Sequence, residues 1–328
     1  MKNRLAFAAF LVAAALMPSA PAQAQPANDR PVRLVVPFPA GGVNDTVARP
    51  LAEKLKDALG QVVIENRGGA GGTLGATLVA RAEPDGQTIL FGSGATHIVG
   101  PVISSSRSYD PKKDFRAASI ITVSGLAIAV HPSLGVGSLQ ELIAQARRRP
   151  GALSYASAGV GSATHLGAEL FKALIRDPSI VHVPYKGGAP AITDLVNGQI
   201  KLAVLNVSGS LFALHNSGAV KVLAVTSPER VPAAPQIPTA IEQGLPDMIA
   251  LNFNGLFVPA ATPDAVVRRI SAAVETALRD KDLVSLFESA GLQAATQTSP
   301  EEADRFVDSE IARWTPLLKQ IGLASSEN

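Results

Sequence analysis

Three glycine-rich segments in this 328-residue chain lie where a strand would hand over to a helix, and each offers a small ligand backbone rather than side chains. The first is Pro37-Phe38-Pro39-Ala40-Gly41-Gly42-Val43-Asn44-Asp45. Glycines admit close approach, and the free N–H groups of a helix start can hold an anion. Asn44 or Asp45 would be its N-cap. The same residues equally suit an ordinary tight turn, which favours glycine for steric reasons. The second is Ser157-Ala158-Gly159-Val160-Gly161-Ser162-Ala163-Thr164-His165. Here Ser162 is the expected N-cap and His165 the N3 residue, bonding back to the cap or facing a ligand. A helix start favours the neutral imidazole. Ser162 and His165 are also a nucleophile and a base, as a hydrolase needs. The G-x-S-x-G elbow and an acid to orient the imidazole are both missing. The third, Asn66-Arg67-Gly68-Gly69-Ala70-Gly71-Gly72-Thr73-Leu74-Gly75, follows the second strand and lacks G-x-G-x-x-G in register. No G-x-x-x-x-G-K-[ST] occurs, so NAD and ATP are not expected and no cofactor is assigned. Its glycines serve either close helix–sheet packing or ligand contact.

The remaining chemistry is thin. The chain has no Cys, which excludes disulfides, thiolate catalysis and Cys-ligated metals. His97, His131, His165, His182 and His215 show no H-x-x-x-H or H-x-H pairing, so no metal site is expected. Asp304, Asp308 and Glu310 are expected on a solvated helix face. Formal charge is +2, and no basic block exceeds Arg147-Arg148-Arg149, which argues against nucleic acid. With 47% hydrophobic and 17% charged residues the chain is globular, not disordered.

The elements that carry these segments alternate. Strand 32–36 leads to helix 45–59, in which Pro50 removes a hydrogen bond. Strand 61–65, helix 71–81 and strand 88–92 complete a βαβαβ unit, which implies a parallel sheet covered by helices. Two apolar runs, 118–123 and 126–130, flank Ser124-Gly125, where the chain crosses to a second domain. Alternation restarts there: helix 138–149, strand 153–156, helix 162–174, strand 181–184, helix 189–197, strand 201–205, a short helix near 211–216 and strand 220–226. A Pro-rich loop runs from 228 to 246. Strand 252–258 and helices 263–279, 281–289 and 300–321 then return to the first domain. Crossings near 124 and 250 make a hinged, two-lobed α/β protein.

The N-terminus carries an address. Lys2 and Arg4 precede an unbroken apolar run from Leu5 to Met17, then Pro18 and Ala22-Gln23-Ala24. This is the layout of a secretory signal peptide cut after Ala24. The run is too short for a spanning helix, which needs about 20 residues. It takes two of the 29 basic residues and none of the 27 acidic ones, so the mature chain is neutral.

At these segments the sequence resembles the Bug/TctC family, the exported solute receptors of tripartite tricarboxylate transporters. The resemblance is carried by Val35 to Asp45, Glu65 to Gly72, Pro84-Asp85-Gly86, Tyr109-Asp110-Pro111 with Asp114-Phe115, and Ser154 to Ser162 with His165-Leu166. It continues through His182-Val183-Pro184-Tyr185-Lys186-Gly187, Ala224-Val225-Thr226-Ser227, Pro238-Thr239 and Ala312-Arg313-Trp314. It implies a type II periplasmic-binding-protein-like architecture: a signal peptide at 1–24, one lobe of 25–124 plus 251–328, a second of 125–250, and a ligand cleft between them. The site it implies comprises Pro39, Ala40, Gly41, Gly42 and Asp45 from the first loop. It adds Ser157, Gly161, Ser162, Thr164 and His165 from the second, with Asn206, Ser208 and Phe253 at the variable end. In the family the first loop holds one carboxylate through backbone N–H groups and ordered waters. Two positions depart from it: Leu205-Asn206 stands where Asp-Asn is frequent, and Phe253 where Trp is frequent. Both changes should alter what fits beyond the shared carboxylate. No Arg lies in these loops, so recognition would rest on dipoles and hydroxyls.

The expected protein is a monomeric periplasmic receptor. It captures a small organic carboxylate for the membrane components of such a transporter and performs no chemistry. A periplasmic sensor that binds the same ligand, or a hydrolase using Ser162 and His165, are the alternatives. Mass spectrometry of the exported protein should find Gln25 at the N-terminus. A retained Met1, or a start beyond Pro31, would overturn the signal-peptide reading.

Overall fold

The alternating pattern folds into strands and helices in the order expected. The computed structural model describes residues 30–103, 108–290, 292–296, 298–320 and 322, so the signal-peptide segment lies outside the described residues. The first unit is β1 (Val32–Val36), α1 (Val43–Leu59), β2 (Val62–Asn66), α2 (Thr73–Ala80) and β3 (Thr88–Ser93). A π-helical turn at Ala95–Val99 and α3 (Gly100–Ile103) lead on towards β4 (Phe115–Val130). Then come α4 (Leu139–Arg148), β5 (Ser154–Ser157), α5 (Ala163–Ile175), β6 (Val181–Pro184), α6 (Gly188–Val196) and β7 (Leu202–Asn206). The remainder is α7 (Gly209–Asn216), β8 (Lys221–Val225), β9 (Leu251–Pro259), α8 (Asp264–Ala277), α9 (Lys281–Ser289), β10 (Gln293–Ala294) and α10 (Pro300–Gln320).

The sheet order is β2-β1-β3-β9-β4-β7-β5-β6, with β8 and β10 also paired to β4. Pairing is parallel among β1, β2 and β3 and again among β5, β6 and β7. The antiparallel strands β9 and β4 stand between these two groups. Strands covered on both faces read as continuous apolar runs, and β4 is buried along almost its whole length. Its Ala118 and Ile121 belong to the core under α1 and α8, its Ile120 and Ile128 to the core that contains Trp314, and its Ala127 and Ala129 to a third core under α6.

The two apolar runs around Ser124-Gly125 are therefore one strand. From Phe115 to Gly125 it pairs with β9, and from Leu126 to Val130 with β7 and β8. Gly125 allows this change of partner, since a Cβ there would lie 2.7 Å from the backbone N of Ser227. Thr226, fully buried, ties the same point. Its hydroxyl accepts from the Leu126 N–H (2.7 Å) and donates to the Ala250 carbonyl (2.6 Å). Its backbone N–H donates to Leu126 O (2.8 Å), and its carbonyl accepts from the Ala250 N–H (3.2 Å). One residue thus joins β4, the end of β8 and the segment entering β9.

One expectation needs correction. Glu310 is 4% exposed, not solvated: it accepts from the Trp314 indole N–H (2.9 Å) and from Arg313 as α10 packs on β4. Asp304 and Asp308 stay exposed: Asp304 accepts from the Ala117 N–H (2.9 Å), where the β4–β9 register shifts, and Asp308 pairs with Lys112. The π-turn and α3 went unforeseen. The helix around Pro50 runs through it unbroken.

Thr226→Val keeps the shape of the side chain but orphans a buried N–H and a buried C=O. Each buried unpaired group costs about 1–3 kcal/mol, so denaturant unfolding should show a loss of about 3 kcal/mol. A loss below about 0.5 kcal/mol would mean that this tie is replaced by water.

Candidate functional site

Ligands of open α/β sheets lie outside the carboxyl ends of the strands. In this chain the carboxyl ends of β1, β3, β5, β6 and β7 face one cavity of about 570 Å³, through Pro39, Ser93, Ala158, Lys186 and Asn206. The starts of α1 and α5 enter it from opposite strand groups, with Gly42 and Asn44 from one and Ser162, Ala163 and Thr164 from the other.

The two loops are built alike. In the first, the Gly42 N–H donates to Pro39 O (3.3 Å) and the Gly41 N–H to Asp45 Oδ2 (2.8 Å). In the second, the Ser162 N–H donates to Gly159 O (3.2 Å) and the Gly161 N–H to His165 Nδ1 (3.1 Å). Each loop closes a turn on itself, and the third residue of the helix reaches back over it. Gly41 (φ 78°) and Gly161 (φ 76°) stand in the left-handed region at the same place in each turn, where a side chain would strain the backbone.

This construction corrects the expected cap. The N-cap of α1 is Gly42, with no side-chain cap, and Asp45 sits within the first turn. The Gly41 and Gly42 N–H groups are already taken. The donors without an intrahelical acceptor are the first-turn N–H groups of Val43 and Asn44 in α1 and of Ala163 and Thr164 in α5. Ser162 does cap α5, accepting from the His165 N–H (3.2 Å).

Asp45 is a clamp, 2% exposed. It also accepts from Arg49 (2.8 Å) and from Asn66 (2.9 Å), whose amide in turn donates to Phe38 O (3.1 Å). Burial alone would raise its pKa, but the hydrogen bonds from Arg49, Gly41 and Asn66 and the Arg49 charge outweigh that and hold the carboxyl below its usual value.

Behind the second loop three rings stack. His182 lies 4.1 Å from His165 and 4.8 Å from Tyr155, centroid to centroid. Its Nε2 meets the buried Ser157 hydroxyl at 2.7 Å, and that hydroxyl accepts from the Gly159 N–H (3.1 Å). Tyr155 donates to Glu169 (2.6 Å), which also holds Lys172 (2.8 Å). Burial pushes both histidines below their usual pKa. For His182 the neighbouring His165 and Lys172 add to the effect and bring it to about 4; for His165 Lys172 adds to it, while Glu169 opposes.

Of the expected site residues, Pro39, Gly42, Gly161, Ser162, Thr164 and Asn206 line the cavity. The others lie behind it or beside it. Ala40 and Gly41 form the outer turn, Asp45, Ser157 and His165 brace the loops, and Ser208 caps α7 through the Leu211 N–H (3.2 Å). Phe253, 1% exposed, packs behind Gly94 and edge-on to Phe306. It therefore bounds the cavity only indirectly. No hydrogen bond joins the Ser162 and His165 side chains: the Ser162 hydroxyl donates to Gly159 O (2.7 Å), and His165 Nδ1 accepts from Gly161.

The residue reading missed the wall made by Ser93 to Gly100, and also Lys186, Gly187, Leu251, Asn252 and Trp314. The strand-end rule pointed to Ser93 and Lys186. Trp314, marked in the sequence only by the Ala312-Arg313-Trp314 resemblance, is delivered by α10 from the far end of the chain.

The sequence profile of the tripartite tricarboxylate transporter family receptor matches residues 47–323. The chain is 34% identical over 306 residues to the protein BugT of Bordetella pertussis, covering 93% of each. An R. palustris protein solved with adipate superposes with a TM-score of 0.76 at 34% identity, over 90% of this chain and 98% of that one. The periplasmic binding protein BugD does so at 0.74 and 33%, over 90% and 99%. The α/β periplasmic-binding fold expected from the sequence is the one these structures share.

The ring stack sets a pH limit. A histidine whose folded pKa is depressed contributes stability that is whole above the unfolded value of 6.5 and fades as pH falls through about 4. His182→Asn should therefore flatten the fall in unfolding free energy between those two values, measured by denaturant melts across pH. An unchanged slope would mean that His182 is solvated and titrates normally.

Proposed function

The chain belongs to the tripartite tricarboxylate transporter receptor family, and from that premise we propose that it captures a small organic carboxylate in the periplasm and presents it to the membrane components of such a transporter. The observation that carries this reading is the pair of helix starts, α1 and α5, that enter one cavity from separate strand groups. A helix N-terminus favours an anion by about 0.3–1 kcal/mol when exposed and by up to about 2 kcal/mol when partly buried. Two of them on one carboxylate, with free first-turn N–H groups, hold it without a guanidinium. The adipate found in a relative of the same fold accords with this chemistry.

The mechanism is closure. Residues 25–124 with 251–328 form one lobe and 125–250 the other, turning about the strand change at Gly125 and the entry to β9 at Ala250. Only the closed form brings both helix starts onto one anion, and that difference in contacts makes the ligand favour closure. The ligand contacts are Gly42 with the first turn of α1, Gly161, Ser162 and Thr164 with the first turn of α5, and Asn206. Ser162 acts as a cap and not as a nucleophile. The protein acts as a monomer after removal of its signal peptide.

A screen of mono- and dicarboxylates by thermal shift and calorimetry tests this. A carboxylate at about 100 times its Kd should stabilise the protein by about 2.7 kcal/mol, lower the radius of gyration in scattering, and be recovered chemically unchanged. Gly42→Val should abolish the gain while leaving circular dichroism intact, since its side chain would press on Pro39 O, 3.2 Å from the new Cβ. Unchanged affinity in that variant would remove the α1 start from the site.

A further inference from the structure

Asn44, in the first turn of α1, lines the cavity, and its side chain is held by a buried residue that does not line it. Its Oδ1 accepts from Nδ2 of Asn254 (3.1 Å). Asn254 is 2% exposed on β9, opposite Ser93 of β3 and Thr122 of β4. Successive strand residues face opposite sides of a sheet. Asn254 therefore shares a face with Asn252, which lines the cavity, while Phe253 on the other face packs on Phe306. The buried Thr122 hydroxyl donates to Asn254 Oδ1 (3.3 Å).

These contacts run one way. Thr122 donates to Asn254, Asn254 donates to Asn44, and the chain of donors ends there. With its oxygen taken, Asn44 has only its N–H2 group to offer. That nitrogen has no hydrogen-bond partner among the described residues and is not sealed from solvent. Buried amides keep their partners because losing them is costly, so Thr122 and Asn254 fix which end of Asn44 is free. The free end belongs to the first turn of α1, where a helix start already favours negative charge. An Asn44 amide turned end for end would present an acceptor there and repel an anion.

We propose that the Asn44 side-chain amide is a specificity-determining ligand contact, donating to the carboxylate at the α1 start, and that Asn254 is the residue that positions it. This rests on the receptor reading above and deepens it. An ionised carboxylate accepts several hydrogen bonds at once, and the Asn44 N–H2 fills a place that the backbone of the same turn leaves open. Charge-assisted hydrogen bonds of this kind are roughly twice as strong as neutral ones. A carboxamide in the same place has one oxygen instead of two and leaves one of these donors without an acceptor.

The test is calorimetry on the mature protein with acetate, succinate, adipate and benzoate as probes, together with thermal melts of each variant. Asn44→Ala should weaken binding of the tightest probe about tenfold. Asn44→Asp should weaken it about a hundredfold or more, because like charges then meet. That variant should nevertheless melt no lower than the wild type, since it keeps the acceptor for Asn254 and places an acid in the first helical turn. Asn254→Leu should weaken the probe about fivefold, and should cost no further affinity in the Asn44→Ala background. A purely structural tether would lower the melting temperature in both backgrounds and leave affinity alone. That outcome, an Asn44→Asp variant that binds as the wild type does, or an Asn254→Leu loss of affinity that persists in Asn44→Ala, would overturn this assignment while leaving the receptor reading intact. Failure of every probe to bind the wild type would overturn the receptor reading, and this assignment with it.

Discussion

The architecture turns on Thr226. A strand that changes partners midway must keep its backbone groups bonded through the change, because an orphaned buried N–H or C=O costs as much as many substitutions do. At Leu126, where β4 leaves β9 for β7 and β8, that need is met from both sides by the Thr226 backbone and hydroxyl. The same hydroxyl reaches Ala250, where the chain returns to β9. Gly125 contributes by absence, since any side chain there would displace Ser227. Both crossings between the strand groups therefore share one buried hydrogen-bonded residue. Everything on either side, including the two helix starts, is positioned relative to it.

From that point the site follows by geometry. Parallel strands β1 and β3 on one side and β5, β6 and β7 on the other present their carboxyl ends to the same space. The two glycine loops carry the same hydrogen-bond scheme, with Asp45 in one and His165 in the other reaching back to the glycine before the cap. The same job is done by a carboxylate anchored on Arg49 and by a neutral imidazole stacked on His182. The groups that look most reactive in the sequence thus hold the loops in shape. The recognition surface proposed is the backbone they free.

Much of this was legible beforehand, and the reasons are local. The strand-to-helix order, the Ser162 cap and the C-terminal helices follow from period and punctuation, which depend on nearby residues alone. Asn44 and Asp45 are not the cap because Asp45 has a better use inside the first turn, with Arg49 and Asn66 at hand. Glu310 read as solvated because its helix face is polar; only the docking of α10 on β4 buries it beside Trp314.

The sequence by itself determined the alternation of strands and helices, the absence of cysteine chemistry, and which loops carry glycine where a close backbone approach needs it. These rest on residue type and short-range spacing. The tertiary structure alone decided that two apolar runs are one shared strand, and that Asp45, Ser157 and His165 are braces behind the cavity. It alone brought Trp314 and Lys186 to the wall beside Gly42 and Ser162. Those outcomes depend on contacts between residues far apart in the chain, and on the competition of each polar group for its best buried partner, which is settled only when the elements pack.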